Sequence, residues 1–128
     1  MIPAIYVHQT RYVRYADAIV GGYKPIETRT RNVLGRFVGQ PVLIVRTQDG
    51  KPAEVIGQAT ISKAEYHTKK ELDAMRNKTL IPPGSRFDCS GRGKWCYTMT
   101  DPMPMKPVRL DALDVEYKTR SYAMIKEA

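Results

Sequence analysis

The sequence predicts a small α+β domain, mainly β, in which a strongly curved sheet or partial barrel carries two or three short helices at its openings. The chain has 128 residues, of which 42% are hydrophobic, as expected for one compact domain with its own core. Apolar residues alternate in several short runs, which is typical of strands, and follow helical spacing in only a few places. The pattern lacks the alternating long helices that a parallel α/β fold requires. We therefore expect a single domain over residues 1–128.

The N-terminal part predicts a strand, a helix and a second strand. Ile5 to His8 has the composition of a short strand. Over residues 11–20, apolar side chains recur at i, i+3, i+4 and i+7, which is one face of a helix. Thr10 is a suitable cap for its start, and the glycine pair at 21–22 is suited to end it. Residues 26–33 then alternate as a strand, and this pattern places Glu27 and Arg29 on the same face.

The middle of the chain predicts a hairpin followed by a short helix. Residues 41–47 are rich in β-branched side chains, and the polar turn at 48–51 connects them to a partner strand over 55–62. The sequence from Thr68 to Glu71 fits a capping box, in which the threonine and the glutamate cap each other's backbone amides. A helix over about 69–77 follows.

The C-terminal third predicts a loop and one further strand. Proline and glycine clusters at 82–85 and 90–93 enclose a segment that we expect to be an exposed basic loop. Residues 94–100 alternate as a strand, and the three prolines of 101–107 require an extended, edge-like path. The last 20 residues fit a strand or a helix equally well.

The positive charge is concentrated in two segments. The formal net charge is +8 and the isoelectric point is near 9.6. Residues 11–36 carry +4 and residues 69–109 carry +5, whereas residues 37–68 are neutral. If folding brings the two basic segments together, they form a surface for several phosphates. Nucleic acid or a nucleotide is therefore the expected partner.

Several functional classes are disfavoured by composition. The longest apolar run, at 41–45, is much too short to span a bilayer, and the N-terminus does not have the pattern of a secretory signal. We therefore expect a cytoplasmic protein with no membrane partner. Two cysteines and two histidines match no zinc-site spacing and are too few for a disulfide scaffold. We expect reduced thiols, no metal and no cofactor, and the oligomeric state stays open.

The strongest motif is the string Gly22-Tyr-Lys-Pro-Ile-Glu-Thr-Arg29, which directly follows the predicted helix. In its glycine, lysine, glutamate and arginine, and in the helix and strand around them, the sequence resembles the ASCH domain family, which is related to the PUA domains of RNA-modifying proteins. The resemblance covers roughly residues 5–109. It implies a PUA-like β-barrel with a cleft beside the glycine turn and a role in RNA or nucleotide chemistry.

The resemblance and the residue chemistry together give candidate site residues. Lys24 is a candidate general base or phosphate ligand, because a desolvated lysine has a lowered pKa. Glu27 is suited to orient Lys24 or to read a base edge. In the amidohydrolase branch of the family a threonine nucleophile takes this position, and an acidic residue further on completes the site. We prefer Glu65 for that acid, because Glu71 already serves the capping box.

The remaining candidates are ligand-binding residues. Arg29 and Arg31 have the planar fork that suits phosphate or guanine, and Tyr15 and Tyr23 are suited to stack on a base. The favoured function is a binding domain for RNA or a nucleotide. The alternative is a small hydrolase, either an amidohydrolase on N4-acylated cytidine or a ribonuclease, with Lys24 as base. A stand-alone interaction protein is the third interpretation, favoured if the two basic segments lie on opposite faces.

Overall fold

The computed structural model describes residues 1–127, which form a strongly bent sheet with short helices against it. The strands are β1 (Ile2–His8), β2 (Ile26–Arg29), β3 (Pro41–Gln48), β4 (Lys51–Thr68), β5 (Gly93–Arg109), β6 (Val115–Lys118) and β7 (Tyr122–Ile125). The helices are α1 (Tyr15–Val20), α2 (Lys69–Asp73) and α3 (Arg76–Thr79), with 3-10 turns at Gly35–Phe37 and Leu110–Ala112. None of the helices found over residues 1–127 has the length and hydrophobicity of a membrane-spanning segment.

All seven strands belong to one sheet, in the order β2-β5-β4-β3-β1-β7-β6. β1 and β3 are parallel, and the other neighbours are antiparallel. β4 and β5 span 18 and 17 residues, and several register shifts interrupt their pairing. Such irregularities bend and twist long strands. The predicted mainly β, α+β class is confirmed. The sheet is open, because within residues 1–127 no pairing joins β2 to β6, so closure into a barrel is not seen.

Both faces of the central strands are buried. The main core packs α1 against the sheet and includes Ile19, Ile44 and Tyr97, each no more than 1% exposed. A second cluster on the opposite face contains Val45 and is closed by the 3-10 turn at Leu110. Because Ile44 and Val45 are adjacent in β3 and point to opposite faces, their burial shows that the middle of the sheet is covered on both sides.

Helix α1 is shorter than predicted because Thr10 forms a local turn instead of a helix cap. Its hydroxyl accepts hydrogen bonds from the backbone N–H groups of Tyr12 and Val13, and its own N–H donates to the Val13 carbonyl. The helix begins at Tyr15, and Tyr12 is 79% exposed. The predicted end is confirmed. Gly22 follows the helix with φ +82°, a conformation that favours glycine.

The later elements follow the prediction with three differences. The hairpin is confirmed, and both of its strands are longer than expected. The capping box of Thr68 and Glu71 is present, but the helix it starts is divided into α2 and α3. β5 continues through the proline segment, where it has a sheet neighbour only in β4, as expected of an edge. The segment 80–92 lacks regular structure, yet Ile81 and Cys89 are buried within it.

Candidate functional site

A cavity of about 500 Å³ lies where β1 and β2 face each other across the open side of the sheet. Pockets of this size accommodate small organic ligands. The residues that line it come from β1, α1 and the turn after it, β2 and the residue that follows it, β3, the segment 80–92, β5 and the β6–β7 turn. They are Tyr6, His8, Tyr15, Lys24, Glu27, Thr28, Arg29, Thr30, Thr47, Ile81, Phe87, Lys94 and Arg120.

The glycine turn after α1 brings Lys24 into the interior. The backbone N–H groups of Tyr23 and Lys24 both donate to the carbonyl of Ala18, at 2.9 and 3.0 Å, which closes the helix end. The side chain of Lys24 is 1% exposed. Its Nζ donates to the carbonyl oxygen of Thr79 and lies 4.7 Å from the centre of the Tyr15 ring. Burial lowers the pKa of Lys24, and the neighbouring Glu27 carboxylate opposes that shift.

Glu27 and Arg29 lie on the same face of β2, as the alternation predicts. Glu27 Oε1 lies 3.6 Å from the Nζ of Lys24, and Oε2 accepts from Arg29 Nη2 at 3.0 Å. Burial acts to raise the pKa of Glu27, but the charges of Arg29 and Lys24 outweigh it and hold that pKa below its usual value. The three side chains therefore form a row of alternating charge, with Lys24 and Glu27 buried and Arg29 partly exposed.

Arg29 also bridges the open side of the sheet. Its Nη2 donates to the backbone carbonyl of Tyr6 in β1 at 2.6 Å. The pairing of β1 with β7 ends at Ile5, so this carbonyl lies just beyond the last residue pair of that ladder. Arg29 therefore stabilises the wall of the cavity with the same group that binds Glu27.

An aromatic wall completes the interior. The Phe87 ring packs edge-on against Tyr15, with centroids 5.4 Å apart, and lies 6.2 Å from the ring of His8. The Tyr15 hydroxyl is buried and has no hydrogen-bond partner within residues 1–127. Burial, together with the charges of Glu27 and Asp88, raises the pKa of Tyr15 to about 12. The hydroxyl therefore stays protonated and is a free donor at the cavity.

Most residues of the segment 80–92 are exposed, as predicted, but hydrogen bonds anchor the segment to the rest of the domain. The Asp88 carboxylate accepts from the backbone N–H groups of Gly84 and Cys89 and from the guanidinium of Arg76. These bonds, that of Gly84 foremost, lower the pKa of Asp88 to about 2. The neighbouring Phe87 carbonyl accepts from the Nζ of Lys94. The segment thus forms one wall of the cavity.

The structure gathers some of the predicted site residues and leaves others outside. Tyr15, Lys24, Glu27 and Arg29 all line the cavity. The other three are not among its lining residues: the ring of Tyr23 is 76% exposed, Arg31 is exposed beyond the end of β2, and Glu65 pairs with Lys63 at 2.8 Å on β4. Glu27 is the one carboxylate among the lining residues that the structure describes.

The sequence did not indicate several lining residues. His8 and Thr47 share a hydrogen bond of 3.3 Å and meet because β1 and β3 pair in parallel. Lys94 and Arg120 enter from β5 and the β6–β7 turn, and Phe87 from the segment 80–92. The only signal for Lys94 was its place in the second basic segment. Such long-range pairings carry no local sequence pattern.

The charge of the cavity is positive. Lys24, Arg29, Lys94 and Arg120 line it together with a single carboxylate, that of Glu27. Both basic segments of the sequence therefore contribute to the same site. A stand-alone interaction protein would have been favoured by basic segments on opposite faces, and this arrangement is not found within residues 1–127. A lining of this kind favours an anionic ligand.

Metal and thiol chemistry receive no support from the described residues. Within residues 1–127, no three His, Cys, Asp or Glu side chains cluster as metal ligands. Both cysteines are free and buried. Burial raises the pKa of Cys96 to about 11, so its thiol stays protonated at neutral pH.

Comparisons with known proteins identify the fold. A scan against protein-family models finds no match, and a search of curated proteins finds none. Among solved structures, the chain is similar to ASCH from Zymomonas mobilis, with a TM-score of 0.73, 19% identity, and coverage of 97% of this chain and 88% of that one. A serine-to-alanine variant of that protein matches with a TM-score of 0.72 and 20% identity, over 97% of this chain and 89% of that one. A tyrosine-to-phenylalanine variant matches with a TM-score of 0.73 and 19% identity, over 97% of this chain and 91% of that one. The chain therefore has the ASCH-domain fold.

Proposed function

We propose that this chain, which has the fold of the Zymomonas mobilis ASCH proteins, is an ASCH-domain protein that binds an RNA segment or a nucleotide in the cavity between β1 and β2. The chain covers nearly all of those structures. The order of the glycine, lysine, glutamate and arginine in its motif supports the same family.

The observation that carries the proposal is the combination of groups in one cavity. Four cationic side chains surround a single carboxylate there, and the Phe87 ring faces the same space. Single-stranded nucleic acid is bound by such combinations of cationic groups for phosphate and aromatic rings for bases. The unpartnered hydroxyl of Tyr15 supports a ligand with a hydrogen-bond acceptor, since buried polar groups normally have a partner.

A binding measurement with a matched aromatic control tests the proposal. The fluorescence anisotropy of a labelled single-stranded RNA hexamer is followed at rising salt for the wild type, Phe87→Leu and Tyr12→Leu. Loss of a base–aromatic stack costs about 1–3 kcal/mol, so Phe87→Leu is expected to weaken binding by roughly 5- to 150-fold. Tyr12 is exposed and outside the cavity, so its variant is expected to bind like the wild type. If neither RNA nor nucleotides bind at low salt, the proposal is wrong.

A second candidate function, hydrolysis of a modified nucleoside or of RNA, is supported by the burial of Lys24. A lysine accepts a proton only when neutral, and burial lowers the pKa of Lys24 beside the carboxylate of Glu27. Since Glu27 occupies the position of the family's threonine nucleophile, the nucleophile would be a water molecule. For an N4-acylated cytidine, Lys24 would take the water's proton as the oxygen attacks the acyl carbon. The proton would then pass to the amino nitrogen as the C–N bond breaks.

The hydrolase is tested with N4-acetylcytidine and single-stranded RNA as substrates. The wild type is compared with Lys24→Arg, which keeps the charge but cannot act as a base near neutral pH. The second function predicts turnover by the wild type and its loss in Lys24→Arg, with binding retained. Equal turnover in both proteins would remove Lys24 from the mechanism.

A further inference from the structure

The ammonium group of Lys24 is enclosed by groups of the protein. An ammonium has three N–H donors. Those of Lys24 face the Thr79 carbonyl, the Glu27 carboxylate and the ring of Tyr15, and the side chain is 1% exposed. In its charged form Lys24 therefore links the turn after α1, β2 and the end of α3. An anion in the cavity must be held by other groups.

Arg29 is only partly free. One of its terminal nitrogens, Nη2, binds both the Tyr6 carbonyl and the Glu27 carboxylate. It therefore shares the buried Glu27 carboxylate with Lys24. Arg29 shapes the cavity wall more than it offers an uncompensated charge.

Lys94 and Arg120 line the cavity without a carboxylate partner, unlike Lys24 and Arg29. Among the described residues, neither side chain lies within 4.0 Å of an acidic group. The Nζ of Lys94 donates to the Phe87 carbonyl, which uses one of its three donors. Burial lowers the pKa of Lys94, and the carboxylates of Glu27 and Asp88, both beyond 4.0 Å, oppose that shift only in part.

The turn that carries Arg120 is well defined. The hydroxyl of Thr119 accepts from the backbone N–H groups of Ser121 and Tyr122, and the N–H of Tyr6 donates to the Ser121 carbonyl. The turn is thus anchored to β1 at the edge of the cavity. Its arginine is exposed and forms part of the cavity lining, as a group that meets a ligand at the entrance would.

We infer that Lys94 and Arg120 form the phosphate position of the cavity, so that its ligand is a nucleotide, either free or as a unit of RNA, and not a neutral nucleoside. This inference rests on the proposed function and deepens it. The base would lie at the inner aromatic wall of Tyr15 and Phe87. The phosphate would lie between Lys94 and Arg120, where it neutralises the two charges that the protein leaves unpaired.

Titration calorimetry with four ligands tests the inference. The ligands are cytidine, its 5′-monophosphate, its 3′-monophosphate and a single-stranded RNA hexamer, which separate free nucleotides from RNA as the source of the phosphate. A charge-assisted hydrogen bond contributes about 1.5–3 kcal/mol, so at least one monophosphate or the hexamer is expected to bind roughly 10- to 150-fold more tightly than cytidine.

Two variants and one control locate the phosphate. Arg120→Ala and Lys94→Met are each expected to lose about tenfold or more in affinity for the phosphorylated ligand, and to lose much less for cytidine. Arg120 is exposed, so its replacement does not threaten folding, and circular dichroism checks Lys94→Met. Arg109 is also exposed and lies outside the cavity lining, so Arg109→Ala is expected to bind like the wild type.

The possible results distinguish an error in the phosphate position from an absence of ligand binding. If cytidine binds as tightly as its monophosphates and the hexamer, or if Arg120→Ala and Lys94→Met both bind phosphorylated ligands as well as Arg109→Ala does, the phosphate position is wrong while ligand binding stands. If none of the four ligands binds, the proposed function itself is wrong and the inference falls with it.

Discussion

Replacing Lys24 with methionine tests whether its charge stabilises the centre of the site. The variant Lys24→Met keeps most of the side-chain volume and removes the ammonium group. Glu27, which is 7% exposed, then loses one of its two cationic neighbours. The Thr79 carbonyl loses its donor at the same time. We expect a large loss of stability from this single change.

The size of the expected loss in unfolding free energy follows from the contacts of Lys24 and Glu27. Removing one partner of a buried ion pair typically costs 3–5 kcal/mol. Glu27 keeps the hydrogen bond from Arg29 at 3.0 Å, so the lower end, about 3 kcal/mol, is expected. For a domain of 128 residues, an unfolding entropy of roughly 2 cal/mol/K per residue converts this to a fall in Tm of about 10 °C. Most domains of this size remain folded after such a loss.

Urea denaturation at pH 7 measures the free energy of unfolding of four proteins. They are the wild type, Lys24→Met, Glu27→Gln and the double variant that carries both changes. Because the double variant leaves no unpaired charge between these two positions, its cost is expected to be at least about 1 kcal/mol less than the sum of the single costs. A loss below about 1 kcal/mol in Lys24→Met, or additive costs within about 0.5 kcal/mol, would refute the coupled buried pair.

Three further predictions concern the wall and the predicted residues outside the cavity. The pKa of Asp88 is lowered to about 2, so its carboxylate stabilises the fold above the usual carboxyl pKa, and this stabilisation is lost as the pH falls from about 4 towards 2. The difference in urea midpoint between the wild type and Asp88→Asn should therefore shrink over that range. A constant difference would contradict the assignment. Arg29→Ala should weaken RNA binding in anisotropy measurements more than Arg31→Ala, because only Arg29 lines the cavity; equal losses would place the ligand elsewhere. Glu65→Gln should leave ligand binding and any turnover of N4-acetylcytidine unchanged, because Glu65 pairs with Lys63 outside the cavity; a loss in either assay would restore it as the second carboxylate.

Local signals in the sequence were sufficient where neighbouring residues determine the structure. The capping box of Thr68 and Glu71 formed as predicted, because both hydrogen bonds close within one turn. At Thr10, the local sequence was not sufficient to predict the structure. A threonine ahead of an apolar pattern is equally suited to cap a helix or to close a turn with the next residues, and here it closes a turn. The choice depends on packing that the local pattern does not contain.

The site follows the same division. The motif placed Lys24, Glu27 and Arg29 together, because they are close in sequence and strand alternation aligns the last two. Lys94 and Arg120 join them only through the folded sheet, so no spacing indicated them. The segment 80–92 has the proline and glycine content of an exposed loop. One carboxylate, that of Asp88, orders it by accepting bonds from its backbone.

Chemical-shift mapping of the amide resonances shows whether the ligand binds in the cavity between β1 and β2. Cytidine 5′-monophosphate and the single-stranded RNA hexamer are titrated into labelled protein. If the ligand binds there, we expect saturable shifts concentrated at residues 6–8, 24–30, 81–94 and 120, with the exposed proline segment 101–109 unaffected. Shifts that are absent at low salt, or that map to the proline segment instead of the cavity, would contradict binding in the cavity.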